Sequence, residues 1–440
     1  MQEYFYTLAD TITTLLQGQE ISTCTFRGED SDFVRFNRSA VRQPGTVSQR
    51  FLRLEIIDGN RHAAGGIGLS GDLELDRLRV TELLTGLREK LPHLPEDPYL
   101  LYATEVHSSE QHGENRLVRS ADVVAAVLDA GRGRDLVGIY AAGGIYAGFA
   151  NSFGQRNWYA TYTFNVDWSL YHQSDKAVKT AYAGFVWDAA AFAQKVTEAA
   201  EQLEVLRRPP RTILPGRYRV YLAPAAVHDI LALLSWGGFG LNDHRTKQTT
   251  LLKMVEEGAS LHAAVTLREN TRDGVAPNFQ EAGFIKPDYV TLIETGRLRD
   301  CLVSPRSAKE YGVPTNGASN SETPESLDMA PGDIPSESLL QRLDTGIYIN
   351  NVWYLNYSDH SACRMTGMTR FATLWVEHGV VQAPLNVMRF DDTIYRMFGE
   401  HLLGLTVERD LLLESSTYHQ RSTGSSRVPG ALIEDMTFTL

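Results

Sequence analysis

The residues with the clearest potential for chemistry lie in segment 226–233, where His228 is followed directly by Asp229. A helical zinc site of the hydrolytic type needs two histidines on one helix face, and a carboxylate beside the first to act on the metal-bound water. One turn beyond His228 the chain carries Ala232 and Leu233, and neither side chain can bind a metal. The favoured interpretation is therefore a helix with two polar residues beside its apolar stripe, because one protein ligand cannot hold zinc in a tetrahedral shell.

A second group with chemical potential is the His-x-x-Cys spacing of His360 and Cys363. An imidazole and a thiolate could bind zinc if two further ligands, such as His228 and His378, converged on them. Cys363 could also be a nucleophile with His360 as its base, although catalytic pairs of this kind are usually distant in sequence. The plainer interpretation, a free cysteine in a loop at a strand end, is favoured over both.

A glycine-rich turn and a polar stretch follow segment 226–233 directly. No Lys-Ser/Thr pair follows the glycines, so they match no phosphate loop and are typical of a turn. Because glycine lacks a Cβ, the backbone there could also approach a bound peptide closely, and the basic residues beyond it could hold a peptide carboxylate. A solvated loop is the favoured alternative. The candidate substrate-binding residues are Gly237, Gly238, Gly240, His244, Arg245 and Lys247.

The composition is that of an acidic globular protein. The 440 residues carry a formal net charge of −12, and 43% of them are hydrophobic. This balance argues against a nucleic-acid partner, because phosphate binding needs a basic surface. The three cysteines are sparse and unpatterned, the N-terminus shows no secretory signal, and no run of about 18 apolar residues occurs. We therefore expect a cytoplasmic protein that does not enter a membrane.

Apolar periodicity divides the chain near residue 210. The first part alternates helix-like and strand-like patterns, for example a strand over 52–56 and a helix through Val80, Leu84 and Leu87 that ends before Pro92. Ser120 is predicted to cap a further helix. The run Arg207-Arg-Pro-Pro-Arg211 is the strongest linker signal. We predict an α+β fold, with a mixed α/β domain over 1–210 and a β-rich domain over 211–440.

The second part begins with a strand and the 225–234 helix and then becomes strand-rich. Segment 312–338 is dense in Pro, Gly, Ser and Asn, which predicts a long loop that is functional or disordered. Alternating β-branched and aromatic residues predict strands over 261–267, 289–293, 347–357, 371–376 and 380–390.

Seven different short motifs follow one another along most of the chain. They are Arg35-Phe-Asn-Arg-Ser-Ala-Val-Arg-Gln43, Gly65-Gly-Ile-Gly68, Gly138-Ile-Tyr140, Phe149-Ala-Asn-Ser-Phe-Gly154, Ser304-Pro-Arg-Ser-Ala-Lys-Glu-Tyr-Gly312, Leu374-Trp-Val-Glu-His-Gly379 and Pro429-Gly-Ala-Leu-Ile-Glu-Asp-Met436. Each motif alone is weak, but their order and spacing together resemble the TldD/PmbA (TldE) family, known as modulators of DNA gyrase and as peptidases.

The resemblance implies a role within that family. Its TldD branch carries a His-Glu-x-x-x-His helix and a distal Cys that bind the metal, whereas its PmbA/TldE branch lacks these ligands and accompanies the first as a partner subunit. With Ala232 and Leu233 in the helix and no Cys near Arg370, this chain resembles the PmbA/TldE branch. The resemblance thus implies a non-catalytic subunit of a metalloprotease that acts on peptides or unfolded segments. No metal is expected in this chain, zinc is expected in a TldD-like partner, and the assembly would be a homo- or heterodimer.

Two other functions stay open at the level of sequence. The chain could be an autonomous hydrolase with an atypical metal or thiol site, in which case His228 and Asp229 are the candidate catalytic residues. It could also be a peptide-binding module without catalysis. A metal assay separates the first of these from the others, and activity only after mixing with a TldD-like partner separates the subunit role from the binding module.

Overall fold

Two sheets, each drawn from a different part of the chain, organise the molecule. A computed structural model describes residues 1–173, 176–417 and 419–439. The elements of the first part are α1 (Gln2–Thr14), β1 (Ile21–Asn37), β2 (Ala40–Asp58), β3 (Arg61–Gly68), α2 (Leu73–Lys90), β4 (Ser109–His112), α3 (Ser120–Ala130), β5 (Asp135–Asn151), β6 (Arg156–Gln173), β7 (Lys176–Gly184) and α4 (Ala189–Leu206).

Long antiparallel hairpins build the first sheet. Its described strands follow the order β3-β2-β1-β5-β6-β4, and β7 also pairs with β6. β1 and β2 pair around a tight turn at Arg38 and Ser39, whose φ angles are 51° and 55°. Gly143 of β5 lies so close to β1 that a Cβ would stand 2.1 Å from the carbonyl oxygen of Asp30. The helices α1 and α2 pack on β1 to β3 through a buried cluster that includes Phe5, Leu8, Ile12, Phe26, Leu54 and Leu84.

The second part of the chain contains shorter elements. They are β8 (Gly216–Leu222), α5 (Pro224–Leu234), α6 (Leu241–Arg245), α7 (Leu252–Glu257), β9 (Leu267–Asn270), β10 (Tyr289–Glu294), β11 (Arg297–Leu298), α8 (Pro305–Tyr311), β12 (Ser326–Met329), α9 (Leu339–Leu343), β13 (Gly346–Asp359), β14 (Arg364–Glu377), β15 (Val380–Pro384), β16 (Arg389–Thr393), β17 (Leu402–Leu413) and β18 (Ser425–Phe438).

The second sheet partly closes on itself around α5. Its described strands follow the order β11-β10-β9-β12-β18-β16-β14-β13-β8, and β18 also pairs with β8. α5 packs against β13 and β18. The predicted apolar stripe of α5 is buried in this core through Val227, Ile230, Leu231 and Leu234, so the remaining faces of the helix are available for other contacts. The predicted α+β class is confirmed.

The predicted strand over 261–267 is wrong. Residues 261–266 form a loop, and β9 begins only at Leu267. Leu261 and Val265 are buried, but their backbone groups meet Gly296: the Leu261 N–H donates to the Gly296 oxygen at 2.8 Å, and the Gly296 N–H donates to the Val265 oxygen at 2.7 Å. The apolar residues of this segment are therefore buried in a loop. Their spacing in the sequence is the same as that of a half-buried strand, so the sequence alone does not distinguish the two.

Two further local predictions need correction. The Ser120 hydroxyl does not cap α3; it donates to a carboxylate oxygen of Asp32 at 2.7 Å, and Arg119 occupies the cap position. The predicted strand over 380–390 is two strands, β15 and β16. They pair with opposite ends of β14, so the chain must turn between Pro384 and Arg389.

Segment 312–338 is a loop in large part, but it contains β12. That strand pairs in parallel with the start of β18 and antiparallel with β9, which places it inside the second sheet. A short 3-10 turn at Ser336–Ser338 then leads into α9. Within the three described ranges, no helix is long and apolar enough to cross a membrane.

The two sheets meet through α4 and through one face of β14. Ala372 and Leu374 of β14 belong to the same buried cluster as Phe192 and Leu203 of α4 and Trp168 of β6. The chain that joins the two parts is tied to this contact, because the Arg211 guanidinium lies 4.7 Å from the ring centre of Trp375 and pairs with Glu377 at 2.5 Å.

A second contact between the two parts of the chain is made by the connection between β17 and β18, in which residues 414–417 and 419–424 are described. Arg421 of this connection is inserted into the first sheet, where only 6% of it is exposed. Its guanidinium donates to the Ser31 hydroxyl and the Gly143 carbonyl, each at 3.3 Å, and to the carbonyl and hydroxyl of Thr163 at 3.0 and 2.6 Å. Burial lowers the pKa of Arg421 to about 10, which still leaves it charged at neutral pH.

We predict that Arg421→Ala destabilises the protein by roughly 3–5 kcal/mol, because it leaves buried acceptors of the first sheet without donors. The matched control is Arg132→Ala, which removes an ion pair to Asp129 whose side chains are 83% and 68% exposed and should change stability by less than about 0.5 kcal/mol. Urea unfolding followed by tryptophan fluorescence measures both. Equal effects of the two substitutions would contradict the assigned role of Arg421.

Candidate functional site

The residues singled out in segment 226–233 lie on α5, at a cavity between the two parts of the chain. The cavity has a volume of about 870 Å³. The helix α4 and strand β7 supply one wall, and α5, β13 and β17 supply the other. His228 and Asp229 both line it, because the apolar stripe of α5 faces the core and turns these two polar residues toward α4 and β7.

His228 is held by one hydrogen bond to a strand of the second sheet. Its Nδ1 lies 3.0 Å from the hydroxyl oxygen of Ser426 on β18. Burial lowers the pKa of His228 below its ordinary value of 6.5, and the nearby Lys179 acts in the same direction while Glu414 opposes it. The imidazole is therefore neutral at pH 7.

Asp229 is the most perturbed acid in the cavity. One of its oxygens accepts a hydrogen bond from the Val352 N–H at 3.3 Å. Burial raises its pKa from 3.8 to about 7, whereas the Val352 hydrogen bond and the charge of Lys179 act in the opposite direction. A carboxylate with this pKa takes up and releases a proton near neutral pH. General bases in active sites have this property, and so do buried carboxyl groups with no catalytic role.

The donor set on α5 does not fit a zinc ion. Leu233, in the position of a second helical ligand, is 8% exposed and belongs to the buried core. Across residues 1–173, 176–417 and 419–439, no group of three His, Cys, Asp or Glu side chains could hold a metal ion. The resemblance implies zinc in a TldD-like partner and no metal in this chain, and the absence of bound metal here stays a prediction.

The structure contradicts both readings of His360 and Cys363. Cys363 is fully buried, and burial raises the pKa of its thiol to about 12, so it is neither a thiolate nor accessible to a substrate. The ring of His360 stacks edge-on against Tyr357 at 5.1 Å. His378 is 91% exposed and faces Asp344 at 3.6 Å, so among the described residues these side chains form no shared metal site with His228.

The predicted substrate-binding residues form a separate feature at the end of α5 and do not line the cavity. A Cβ on Gly238 would stand 2.2 Å from the Leu234 oxygen, so this glycine permits the chain to turn back against the helix. His244 Nε2 lies 2.8 Å from the Gly238 oxygen and holds that turn. Gly237 has a φ of 72°, and Gly240 lies against Glu322.

The two cations of this stretch have partners of their own. The Arg245 guanidinium lies 6.0 Å from the ring centre of Tyr311, and Lys247 pairs with Glu256 at 2.9 Å. Both features are typical of a folded surface turn. That residues 237–247 contact a substrate stays a prediction.

Several cavity residues escaped the sequence analysis because they belong to the first part of the chain. Lys179 of β7 lines the wall opposite His228 and pairs with Asp167 at 3.2 Å. Lys195 of α4 reaches Asp410 of β17 at 3.0 Å. No motif marks these residues. Only the packing of α4 and β7 against the second sheet brings them to the site.

We predict that Asp229→Asn stabilises the protein above pH 7 and has little effect near pH 4. Because the pKa in the folded state is about 7 and the ordinary value is 3.8, the folded protein binds more protons in this interval, and stability is lost as the pH rises through it. The full difference corresponds to roughly 4 kcal/mol, which is an upper limit for the gain. Asparagine keeps an acceptor for the Val352 N–H.

Urea unfolding at several pH values measures this effect. The control is Asp129→Asn, since the side chain of Asp129 is 68% exposed and its replacement should produce only a small, pH-independent change. If Asp229→Asn raised the free energy of unfolding equally at pH 4 and pH 8, or lowered it at pH 8, burial of the ionised Asp229 carboxylate would not be destabilising.

Solved structures share this fold over nearly the whole chain. A protein from Thermotoga maritima MSB8, described as a candidate modulator of a DNA gyrase, is 14% identical with a TM-score of 0.76, covering 99% of this chain and 100% of its own. TldE from Thermococcus kodakarensis is 13% identical with a TM-score of 0.79, covering 99% and 100%. A candidate DNA gyrase modulator from Bacteroides thetaiotaomicron VPI-5482 is 14% identical with a TM-score of 0.77, covering 99% and 98%.

These identities are low, so the three structures show the fold alone. A comparison with curated proteins finds no match. At the level of sequence families, residues 215–440 match the PmbA/TldA metallopeptidase C-terminal domain. Because that match covers just over half of the chain and the same chain adopts the fold of TldE throughout, the protein belongs to the TldD/PmbA (TldE) family of metallopeptidase-like proteins.

Proposed function

We propose that the chain is the metal-poor subunit of a peptidase whose metal is carried by a TldD-like partner, a role of PmbA/TldE type. One observation carries the proposal. The helix that borders the cavity presents one imidazole and one carboxylate, and Leu233 fills the next ligand position with a buried apolar side chain. The metallopeptidase family therefore supplies the scaffold here, while the ligand set on α5 is too small for zinc.

The chemistry of amide hydrolysis supports the same division of labour. Hydrolysis needs an activated water or nucleophile and a positioned charge that stabilises the oxyanion. Asp229 can accept a proton, but a carboxylate alone does not lower the pKa of a water molecule that it contacts. Burial raises the pKa of Cys363 to about 12, which removes the thiol version of an autonomous hydrolase.

The proposed substrate is a peptide or an unfolded segment. The cavity is large enough for several side chains, since small-ligand sites commonly occupy about 300–1,000 Å³. Under this proposal the chain provides part of the substrate chamber, and the partner provides the metal and its water. The assembly would be a dimer, either with the TldD-like chain or with a second copy. Three free cysteines are consistent with the cytoplasmic location that we infer.

A peptide-binding module without catalysis is the second candidate function. It is favoured by the size of the cavity, which at about 870 Å³ lies in the range of small-ligand sites. Activity on reconstitution separates the two candidates, because a pure binding module would not restore hydrolysis to any partner.

We predict that the isolated protein holds no stoichiometric zinc, because α5 supplies only His228 and Asp229 as donors. Elemental analysis of protein purified without chelators measures the metal content, with His228→Ala as the matched variant. One zinc per chain that is lost in His228→Ala would refute the metal-poor assignment.

We predict that peptidase activity appears only when the chain is mixed with a TldD-like subunit that carries the complete His-Glu-x-x-x-His helix. Neither chain alone should cleave an unstructured peptide at a comparable rate, and a chelator should abolish the activity of the mixture. Cys363→Ser should leave that activity within a few-fold, since the thiol is buried away from the cavity. Light scattering on the mixture should show a complex larger than 49.0 kDa.

Cleavage by this chain alone, resistant to chelators, would contradict the subunit role. Substitutions at Arg245 and Lys247 test the predicted substrate contacts in the same assay. Arg245→Ala and Lys247→Ala should lower the activity of the mixture more than Cys363→Ser does if residues 237–247 face the substrate.

A further inference from the structure

We propose that the cavity beside α5 is a subsite for a positively charged group of a peptide, an ammonium or a guanidinium group. The proposal rests on the proposed function, since it names the substrate chemistry that the chamber wall would select. It depends on the charge of the cavity, on how that charge is paired, and on the hydrogen-bonding atoms that remain unused there.

The charge of the cavity is strongly negative. Two lysines, Lys179 and Lys195, line it together with six carboxylates, which gives a net charge of −4 when every carboxylate is ionised. No arginine is among the lining residues of the described chain. The six carboxylates are Asp167, Glu198, Glu201, Asp229, Glu408 and Asp410.

Both lysines are already engaged. Lys179 pairs with Asp167 at 3.2 Å, and Lys195 pairs with Asp410 at 3.0 Å. The other four carboxylates form no ion pair with any described residue. An anion entering the cavity would therefore have to break an existing ion pair, whereas a cation would meet four carboxylates that no described cation neutralises. Among these, Glu198 already accepts a hydrogen bond from the Gln194 amide at 2.8 Å, and Glu408 accepts two from the N–H and hydroxyl of Ser336 at 2.9 and 2.7 Å.

Unused hydrogen-bond acceptors point to the same class of ligand. Asn165 of β6 lines the cavity and is 8% exposed, yet its Oδ1 accepts no hydrogen bond from any described residue. Gln202 of α4 donates to the Tyr348 hydroxyl at 3.3 Å, and its Oε1 likewise has no described donor. Ammonium and guanidinium groups carry only donors, three and five respectively, so they complement atoms that can only accept.

Asp229 adds a specific anchor. Its single hydrogen bond from Val352 is long, at 3.3 Å, and burial keeps its pKa near neutrality because no cation lies close enough to compensate fully. A bound cation would supply that missing compensation. Between the charged residues the wall is apolar, through Val178, Ala181 and Ala199 among others, which suits the methylene stem of a lysine or arginine.

The test uses the full chain and N-acetylated, C-amidated, unstructured peptides that differ at one central position, which is Lys, Arg, Gln or Glu. Fluorescence anisotropy measures binding. The Lys and Arg peptides should bind at least about tenfold more tightly than the Gln peptide, and the Glu peptide should bind more weakly than the Gln peptide. A Gln peptide with a free N-terminal amine forms a separate arm, and tight binding in that arm alone would assign the subsite to a peptide N-terminus.

Substitutions locate the effect. Asp229→Asn and Glu198→Gln should each reduce the preference for Lys over Gln by several-fold, whereas Asp129→Asn, at an exposed residue that does not line the cavity, should leave it unchanged. Glu198 is exposed on α4, so its variant tests the cavity without disturbing the core. Equal binding of the Lys, Arg and Gln peptides would overturn the proposal, and so would a preference that survives both cavity substitutions.

The result can be read independently of the subunit role. If a reconstituted complex cleaves Lys and Gln peptides equally and the chain binds them equally, the cationic subsite is refuted while the subunit role stands. If the chain alone prefers Lys and Arg peptides but no TldD-like partner restores hydrolysis, the subsite is supported and the subunit role is refuted.

Discussion

The insertion of Arg421 into the first sheet is the interaction on which the site depends. Arg421 is only 6% exposed, and a buried guanidinium is costly unless its donors are used; here it forms four hydrogen bonds to Ser31, Gly143 and Thr163. The connection that carries Arg421 starts at the end of β17, whose Leu412 and Leu413 line the cavity. Fixing Arg421 in the first sheet therefore also fixes β17 beside α4 and β7, and the cavity exists only where these elements face each other.

The helix α5 has a structural role that does not depend on the residues of its polar face. Its apolar stripe packs between β13 and β18, so the helix is required for the core of the second part of the chain whatever its polar face carries. Leu233 extends that packing into a position where a metal-binding helix would need a histidine. A histidine at this position would place a polar group in the core, which is costly unless that group is hydrogen-bonded.

The sequence predicted those elements that are determined by residues close together in the chain. The apolar stripe of α5 and the α+β class follow from apolar periodicity, and both are present in the structure. The strand predicted over 261–267 failed because Leu261 and Val265 are buried from a loop, and burial alone does not determine backbone pairing. Ser120 failed for a different reason: a tertiary partner, Asp32, took the hydroxyl that a helix cap would have used.

Only one wall of the cavity could be predicted from the sequence. His228 and Asp229 were singled out because a histidine followed by a carboxylate on a predicted helix resembles part of a zinc-binding motif, but the opposite wall of the cavity carries no pattern. Lys179 and Asp167 pair across two strands, and Lys195 meets Asp410 across more than two hundred residues of chain. The first pair lies within the β6–β7 hairpin. Its position at the cavity, and the second pair, are decided by the packing of the two parts of the chain, which periodicity and motif spacing do not encode.

Separating substrate binding from bond cleavage is physically reasonable for a chain of this kind. Interactions with parts of a substrate remote from the scissile bond can position the reacting group and offset the cost of orienting it. A wall that binds a charged side chain of a flexible peptide restricts that peptide at one point, and a metal on a neighbouring subunit then acts on a chain that is already partly ordered. Under the proposed role, the acidic cavity would contribute through binding energy alone, and this requires neither a nucleophile nor a metal on α5.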